Sequence, residues 1–597
     1  MTRHRRHRRH RPALVLAALA TLAVLTTCAA VPAHAARAST SGVTVTVTAM
    51  DPVSATDGST LTVRGTIRNA SAQTQEGLSL VLGVGDPVRS RPDLLQDFAT
   101  PPGVSQELTE CDSCAGSSLA PGAGESYAIT LPLPRSLDVD YATVYPLIVR
   151  AVADEDDLGE ADTFLPFVPT SVSGPLRVSW IVPVTRAPVL DPTGTVAAGD
   201  FPAAIDSGGS LASLLGDTRA PATTRAVGAQ PGYAPVTLAV DPALVAAAQV
   251  TAKPGWRRAG DKSSGRRPAD PGSAAFLADL ARDTARQGVV ALPYADPDAV
   301  ALTRAGLGLD LAQAVATGRS ALQAALPSAR VLTGVGDVPG SAVDQATLDT
   351  YADAGVTTLV VPGGQLAPRD TSFPPTQTAV TTLRTTGATI RGLVTDPDAE
   401  TLLAAAGHDE PTPRMAAERL LALLAVIVGE APNDADVRSV VLALPRQTTV
   451  SAPWLRDALS DTGSVPWLRA VPLGSTGGYP ALAREPLAAY PASARAAELP
   501  QAGLTGTGGV TALQGSIASL GSALLPDTTL TRPLNLALLQ TESFAWRTDP
   551  DGAYEQRKAL TERIAALVAS IRLEAATSVT LGSRSASIPV TVEDSLD

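Results

Sequence analysis

Two hydrophobic rhythms divide the chain. Over residues 41–172 apolar and polar positions alternate in short runs at 43–47, 60–64, 78–82, 127–131 and 144–149. Successive side chains of a strand point to opposite faces, so a period of two marks strands with one face buried. Gly, Pro, Asn and Asp separate the runs, and no helical pattern stands between them. Short strands at this spacing predict an immunoglobulin-like β-sandwich. The acidic run 154–162 is predicted to be a solvated turn between two strands, with a calcium site as the sharper reading of its carboxylates.

From Leu176 the rhythm changes. Buried-strand candidates at 178–182, 236–240, 289–292, 357–361, 390–394 and 439–444 alternate with helical patterns, among them 274–286, 343–354 and 413–429. About seven such β/α units predict a closed or nearly closed (β/α) barrel-like domain over 175–472, with a doubly wound open sheet as the alternative. The basic insertion 253–267, which carries Trp256, is predicted as an exposed loop, an anionic cell-wall contact being the sharper reading. After Pro472 the strands fade, and 473–575 reads as a mainly helical extension. Its last helix is predicted over 551–571, with Glu555, Lys558 and Glu562 as an exposed ladder and Ile564, Leu567 and Ile571 as the buried stripe. Alternation returns at 578–581 and 587–592. Two strands cannot fold alone, so 576–597 either packs on what precedes it or begins a second, truncated β-domain. The fold class is multidomain, β followed by α/β.

The first 35 residues follow another logic. Six arginines and no acid precede an apolar stretch over 12–30, and Ala33-His34-Ala35 fits a small-x-small cleavage rule. This predicts a secretory signal peptide cut after Ala35. Leu25-Thr-Thr-Cys28 makes lipidation of Cys28 a rival reading, and an uncleaved signal anchor is another. Cleavage removes six positive charges, taking the formal charge from −12 to −18. Such acidity argues against nucleic-acid binding. The nine apolar residues 420–428 are about half a membrane span and read as a buried helix. Membrane association is expected only through an uncleaved signal or a C-terminal anchor absent from this chain. Two cysteines remain, Cys111 and Cys114; in an exported chain a structural disulfide is favoured over redox chemistry or half a zinc site.

Cleavage also removes His4, His7, His10 and His34, leaving only His408 of the five histidines. Zinc hydrolases, histidine-based deacetylases and Ser-His-Asp enzymes need imidazole as ligand or base. No G-x-S-x-G elbow, S-x-x-K pair, Walker loop or H-E-x-x-H occurs, so no metal or cofactor is expected. Three strands end in Asp-Pro: at Asp241, at Asp296 with Asp298, and at Asp396 with Asp398. Residues after barrel strands gather at one mouth, which makes Asp241, Tyr294, Asp296, Asp298 and Asp396 the candidate ligand-binding set. Asp is also a favoured N-cap and Pro a favoured first helical residue, so each Asp-Pro is equally a helix start.

Leu176-Arg-Val-Ser-Trp-Ile-Val-Pro183, Leu238-Ala-Val-Asp-Pro-Ala-Leu244, Ala291-Leu-Pro-Tyr-Ala-Asp-Pro-Asp298 and Ser543-Phe-Ala-Trp-Arg547 resemble an actinobacterial family of uncharacterised exported or membrane-anchored envelope proteins. Members of that family are often encoded near the lipid II flippase. The resemblance implies an envelope role and supplies no activity; the central region is also similar to glycoside hydrolase and polysaccharide deacetylase barrels. The expectation is an exported, non-catalytic envelope protein whose degenerate barrel binds a cell-wall glycan or an envelope protein partner. The alternative is a glycoside hydrolase using Asp296 and Asp396.

Overall fold

The computed structural model describes residues 42–594 except 113, 115, 135–136, 138–140, 155, 198, 220–234, 262–264, 370–375, 447, 477–480, 524–527 and 576–589. The expected signal peptide, Cys28 and the strand expected over 578–581 lie outside the described residues.

The first segment runs β1 (Val43–Asp51), β2 (Thr60–Asn69), β3 (Gln75–Glu76), β4 (Ser79–Val84), α1 (Arg91–Ala99), β5 (Gln106–Cys111), β6 (Ser118–Leu119), β7 (Gly124–Pro132), β8 (Thr143–Ala153) and β9 (Asp156–Phe167). Two antiparallel sheets result, ordered β1-β2-β7 and β5-β4-β8-β9, while the short β3 and β6 pair with each other. Alternation decides which side is buried: Val43, Val45, Val47, Leu61, Val63 and Ile67 from one sheet share a core with Leu80, Leu82, Leu147, Val149 and Leu165 from the other. Two expectations need correction. A helix does interrupt the strands: Ser90 accepts from the Asp93 amide, Pro92 stands in the first turn, and Leu94 with Phe98 forms a buried i,i+4 pair. The acidic run is mostly strand, because β9 begins at Asp156 and turns Leu158 and Ala161 inward while its acids face outward or lie half-buried.

The second segment contains β10 (Leu176–Val184), α2 (Phe201–Ile205), α3 (Ser210–Asp217), β11 (Val236–Val240), α4 (Pro242–Thr251), α5 (Pro271–Thr284), β12 (Gly288–Ala291), α6 (Ala299–Arg304), α7 (Gly308–Ala325), β13 (Arg330–Val331), β14 (Val335–Asp337), α8 (Gln345–Asp353) and β15 (Thr358–Val361). It continues with β16 (Val380–Arg384), β17 (Thr389–Val394), α9 (Pro397–Ala405), α10 (Pro413–Glu430), β18 (Ser439–Ala443), α11 (Ala452–Ser464) and β19 (Leu468–Ala470). Parallel strands line up as β13-β12-β11-β10-β18, with β19 also on β10, and a second sheet runs β14-β15-β17-β16. β16 is antiparallel to β17, so one hairpin breaks the expected β/α alternation. The Ala379 amide donates to the Ser439 carbonyl at 2.8 Å, joining the start of β16 to the start of β18. Ile181, Ala239, Val290, Val360, Val380, Leu393 and Val441, one from each of seven strands, meet in a single apolar cluster. Trp256 is buried, not exposed with its loop; its indole N–H donates to the Pro268 carbonyl and Arg267 lies over its ring.

Helices α12 (Leu473–Thr476), α13 (Ala492–Ala496), α14 (Gln501–Thr505), α15 (Val510–Ala523), α16 (Thr528–Gln540) and α17 (Pro550–Ala569) follow, and β20 (Ile571–Ala575) pairs antiparallel with β21 (Val590–Asp594). Leu504, Leu513, Ile517, Leu538, Leu560 and Ile564 of this extension share a core with Leu302, Leu311, Leu348 and Tyr351 of α6, α7 and α8. The two larger segments interlock as well. Met415 of α10 belongs to the core of the antiparallel sheets, Thr412 Oγ1 donates to the Val47 carbonyl, and Trp467 Nε1 donates to Ser54 Oγ at 2.9 Å. Ala36–Asp597 forms one compact unit. No helix among the described residues is long and apolar enough to cross a membrane.

Candidate functional site

Each strand-end aspartate has a defined local task. Asp241 follows β11 and caps α4: its Oδ1 accepts from the Ala243 amide at 2.8 Å and from the Ala295 amide at 2.9 Å. Asp298 caps α6 and receives both arms of Arg547, Nε at 2.8 Å and Nη2 at 2.7 Å, plus the Leu499 amide at 3.0 Å. Asp396 caps α9 through the Asp398 and Ala399 amides, and Arg91 of α1 donates to it at 2.9 Å. Helix-start grammar therefore accounts for three of the Asp residues.

Asp296 is different. Ala295 and Asp296 adopt left-handed backbone angles, φ 66° and 44°, a conformation costing non-glycine residues about 1–3 kcal/mol each. Neighbours enforce it: the Asp296 amide donates to the Pro293 carbonyl, and its own carbonyl accepts from the Phe544 amide at 2.8 Å. This turn aims the carboxylate at Arg446, whose Nε donates to Asp296 Oδ2 at 3.0 Å and whose Nη1 donates to Asp337 Oδ2 at 2.8 Å. All three side chains are buried. Asp296 Oδ1 and the Tyr351 hydroxyl have no hydrogen-bond partner among the described residues.

Burial dominates the electrostatics. It pushes the Asp241 carboxyl up to about 8, with the Asp296 charge adding to it against the pull of two backbone donors and Arg446. Asp296 is raised by burial and by the charges of Asp337 and Asp298, with Arg446 opposing. The Arg446 guanidinium is penalised by burial, yet Asp296 and Asp337 outweigh that and hold it firmly cationic. Burial and then Asp241 raise the Tyr294 phenol.

A cavity of about 240 Å³ opens over the ends of β14, β15, β17 and β18; Asp337, Thr395, Glu400, Arg446 and Phe544 are among its lining residues. The five expected residues do not share this lining. Asp241, Tyr294, Asp296 and Asp298 are absent from it, and Asp296 reaches it only through Arg446. Asp396 lines a separate cavity of about 250 Å³ with Arg91 and Arg484. Arg446 and Asp337 are the residues sequence reasoning missed; an arginine just after the apolar strand β18 was the available signal. Glu400 adds a carboxyl raised by burial, with Thr395 and the Gly363 amide as its donors. Elsewhere, Cys111 and Cys114 form a disulfide. His408 is exposed, its Nε2 2.9 Å from the Thr449 carbonyl oxygen. Among the described residues no group of three or more His, Cys, Asp or Glu side chains is placed to hold a metal ion.

Comparison with known proteins gives a family and little more. The model of a family of unknown function, DUF6049, matches residues 4–597. No curated protein matches the chain. Among solved structures, a 4-α-glucanotransferase from Thermococcus litoralis shows 10% identity and a TM-score of 0.36, over 64% of this chain and 55% of that one. A β-glucuronidase from Bacteroides uniformis shows 13% identity and a TM-score of 0.15, over 54% of this chain and 35% of that one. A putative β-galactosidase from Bacteroides fragilis shows 13% and 0.15, over 54% and 41%. The chain thus spans between about a third and a little over half of these proteins, and likenesses this slight carry no functional argument.

Proposed function

We propose that this chain, which belongs to the DUF6049 family, is a non-catalytic envelope protein that binds a glycan through the strand-end cavity. One observation carries the reading: every strand-end aspartate expected to do acid–base work is already engaged. Arg547 holds Asp298, Arg91 holds Asp396, Arg446 holds Asp296, and two backbone amides hold Asp241. A general acid or base must lie within hydrogen-bond reach of its substrate, and none of the five expected residues is in the cavity lining. Binding demands less. Asp337, Glu400 and Thr395 offer acceptors for hydroxyl groups, and Phe544 offers an apolar face. The signal-like residues 1–35 support a place outside the cytoplasmic membrane.

The same reading covers the architecture. The two antiparallel sheets are read as an immunoglobulin-like sandwich, and β10 to β18 as a nearly closed β/α barrel. Its supports are the return of β18 to β10, the hydrogen bond from Ala379 to Ser439, and the inward cluster drawn from seven strands. In such a barrel Asp337 and Arg446, at or just beyond strand ends, occupy the functional mouth.

The raised carboxyls of Asp241 and Asp296 favour a second reading, glycoside hydrolysis. Incubating purified protein with isolated cell-wall glycan separates the two. Retention of glycan without new reducing ends, weakened at least fivefold by Asp337→Asn, is the expected result. Reproducible release of reducing sugar, abolished by Asp296→Asn with Asp396→Asn, would replace binding with hydrolysis.

A further inference from the structure

A further cavity lies away from the strand ends, in the helical extension. It measures about 590 Å³ and lies between α14 and α17, lined by Leu504, Trp546, Pro550, Ala553, Tyr554 and Arg557 among others. That volume falls within the range of small-molecule sites, roughly 300–1,000 Å³. Most of the wall is apolar. The Trp546 indole N–H is already given to the Gln540 carbonyl at 2.7 Å, so the ring offers the cavity only its apolar surface. Tyr554, on the rim, is 58% exposed, unusually open for an aromatic side chain.

Arg557 is the anomaly. Six other arginines drawn into this structure meet carboxylates: Arg91 with Asp396, Arg219 with Asp283, Arg304 with Asp344, Arg414 with Asp461, Arg446 with Asp337, Arg547 with Asp298; Arg484 gives its hydrogen bonds to the Leu366 and Thr378 carbonyls. Arg557 is half-buried, and its guanidinium has no hydrogen bond or ion pair among the described residues. Burial alone acts on it, pushing its pKa down. Its neighbour Lys558 is paired with Glu555 at 3.4 Å and feels Glu562 as well, so the rim charges compensate one another and leave Arg557 uncompensated. The chain also makes room for the group: a Cβ on Gly503 would sit 3.2 Å from the guanidinium carbon. A desolvated cation held without a counter-charge is costly unless something brings one.

We infer that this cavity is a second binding site, for an organic anion whose carboxylate or phosphate head pairs with Arg557 and whose apolar body lies against Trp546, Leu504 and Pro550. A planar guanidinium suits both heads, since each can accept two parallel N–H bonds. The inference is independent of the strand-end cavity, which presents carboxylates and has different lining residues.

Octanoate and octyl phosphate, titrated separately into the full secreted chain by calorimetry, distinguish the two head groups; octylammonium is the control of opposite charge. Saturable binding of at least one anion is expected. Arg557→Gln should weaken it at least tenfold, Arg557→Lys should recover part of the loss, and Gly503→Val should weaken it by crowding the guanidinium. Thermal unfolding of Arg557→Gln without ligand should match or exceed wild type, because the substitution removes a desolvated charge. Failure of both anions to bind, equal binding by Arg557→Gln, or equal binding of octylammonium would each overturn the inference.

Discussion

Replacing Asp241 by Asn should stabilise the protein in a pH-dependent way. The amide oxygen of Asn can still accept from the Ala243 and Ala295 amides, so the α4 cap and the link to the left-handed turn survive. What disappears is the ionisable group. In the unfolded chain Asp241 loses its proton near 3.8, whereas the folded protein holds that proton up to about 8 because the carboxyl is fully buried. Below about pH 4 both states are neutral and the carboxyl costs nothing. As pH rises from 4 to 8 only the unfolded state ionises, so wild-type stability falls by about 1.4 kcal/mol per pH unit. The ceiling is on the order of 5 kcal/mol at pH 8. Denaturant unfolding of both proteins at pH 4, 5, 6, 7 and 8, followed by tryptophan fluorescence, reads the difference directly. Asp241→Asn should match wild type near pH 4 and exceed it by about 2–5 kcal/mol at pH 8. A difference that does not change with pH, or a variant weaker at pH 8, would refute the assignment of a buried neutral carboxyl.

Arg446→Leu leaves Asp296 and Asp337 buried without their cation and should cost about 3–5 kcal/mol at pH 7; equilibrium unfolding should show part of that loss recovered as pH is lowered, because burial favours the protonated form of Asp296. Gly318→Ala on α7 should lower stability by about 1–3 kcal/mol, measured by thermal melting. Its added Cβ would collide with the Leu292 carbonyl oxygen and come within 2.8 Å of the Tyr294 amide. Thiol titration of the denatured, unreduced protein, prepared from Ala36 onward, should find no free thiol, and two after reduction, from Cys111 and Cys114.

Strands, long helices and caps were legible because their causes are local. Alternation marked β1, β2, β4, β7 and β8, and Asp-Pro marked the starts of α4 and α9. At 296–298 the same grammar misled by two residues: the turn at Ala295 and Asp296 passes the cap to Asp298 and frees Asp296 for Arg446. Helix α1 was hidden because a nine-residue helix with one apolar pair leaves no periodic trace. The β16–β17 hairpin was hidden among what read as uniform β/α units. The Arg446 cluster was invisible for a stronger reason. Its partners lie 150 and 109 residues away, and no spacing rule reaches that far. The unpaired state of Arg557 is likewise a fact about neighbours, which sequence does not contain.

The interlock through α10 bears on how the protein is made. The antiparallel sheets are synthesised first, yet Met415, which belongs to their core, arrives about 240 residues later, after most of the second segment has left the ribosome. Until then the amino-terminal piece is an unfinished half with apolar surface uncovered. The same interlock means that cutting near residue 173 yields two incomplete bodies, not two modules that can be studied apart.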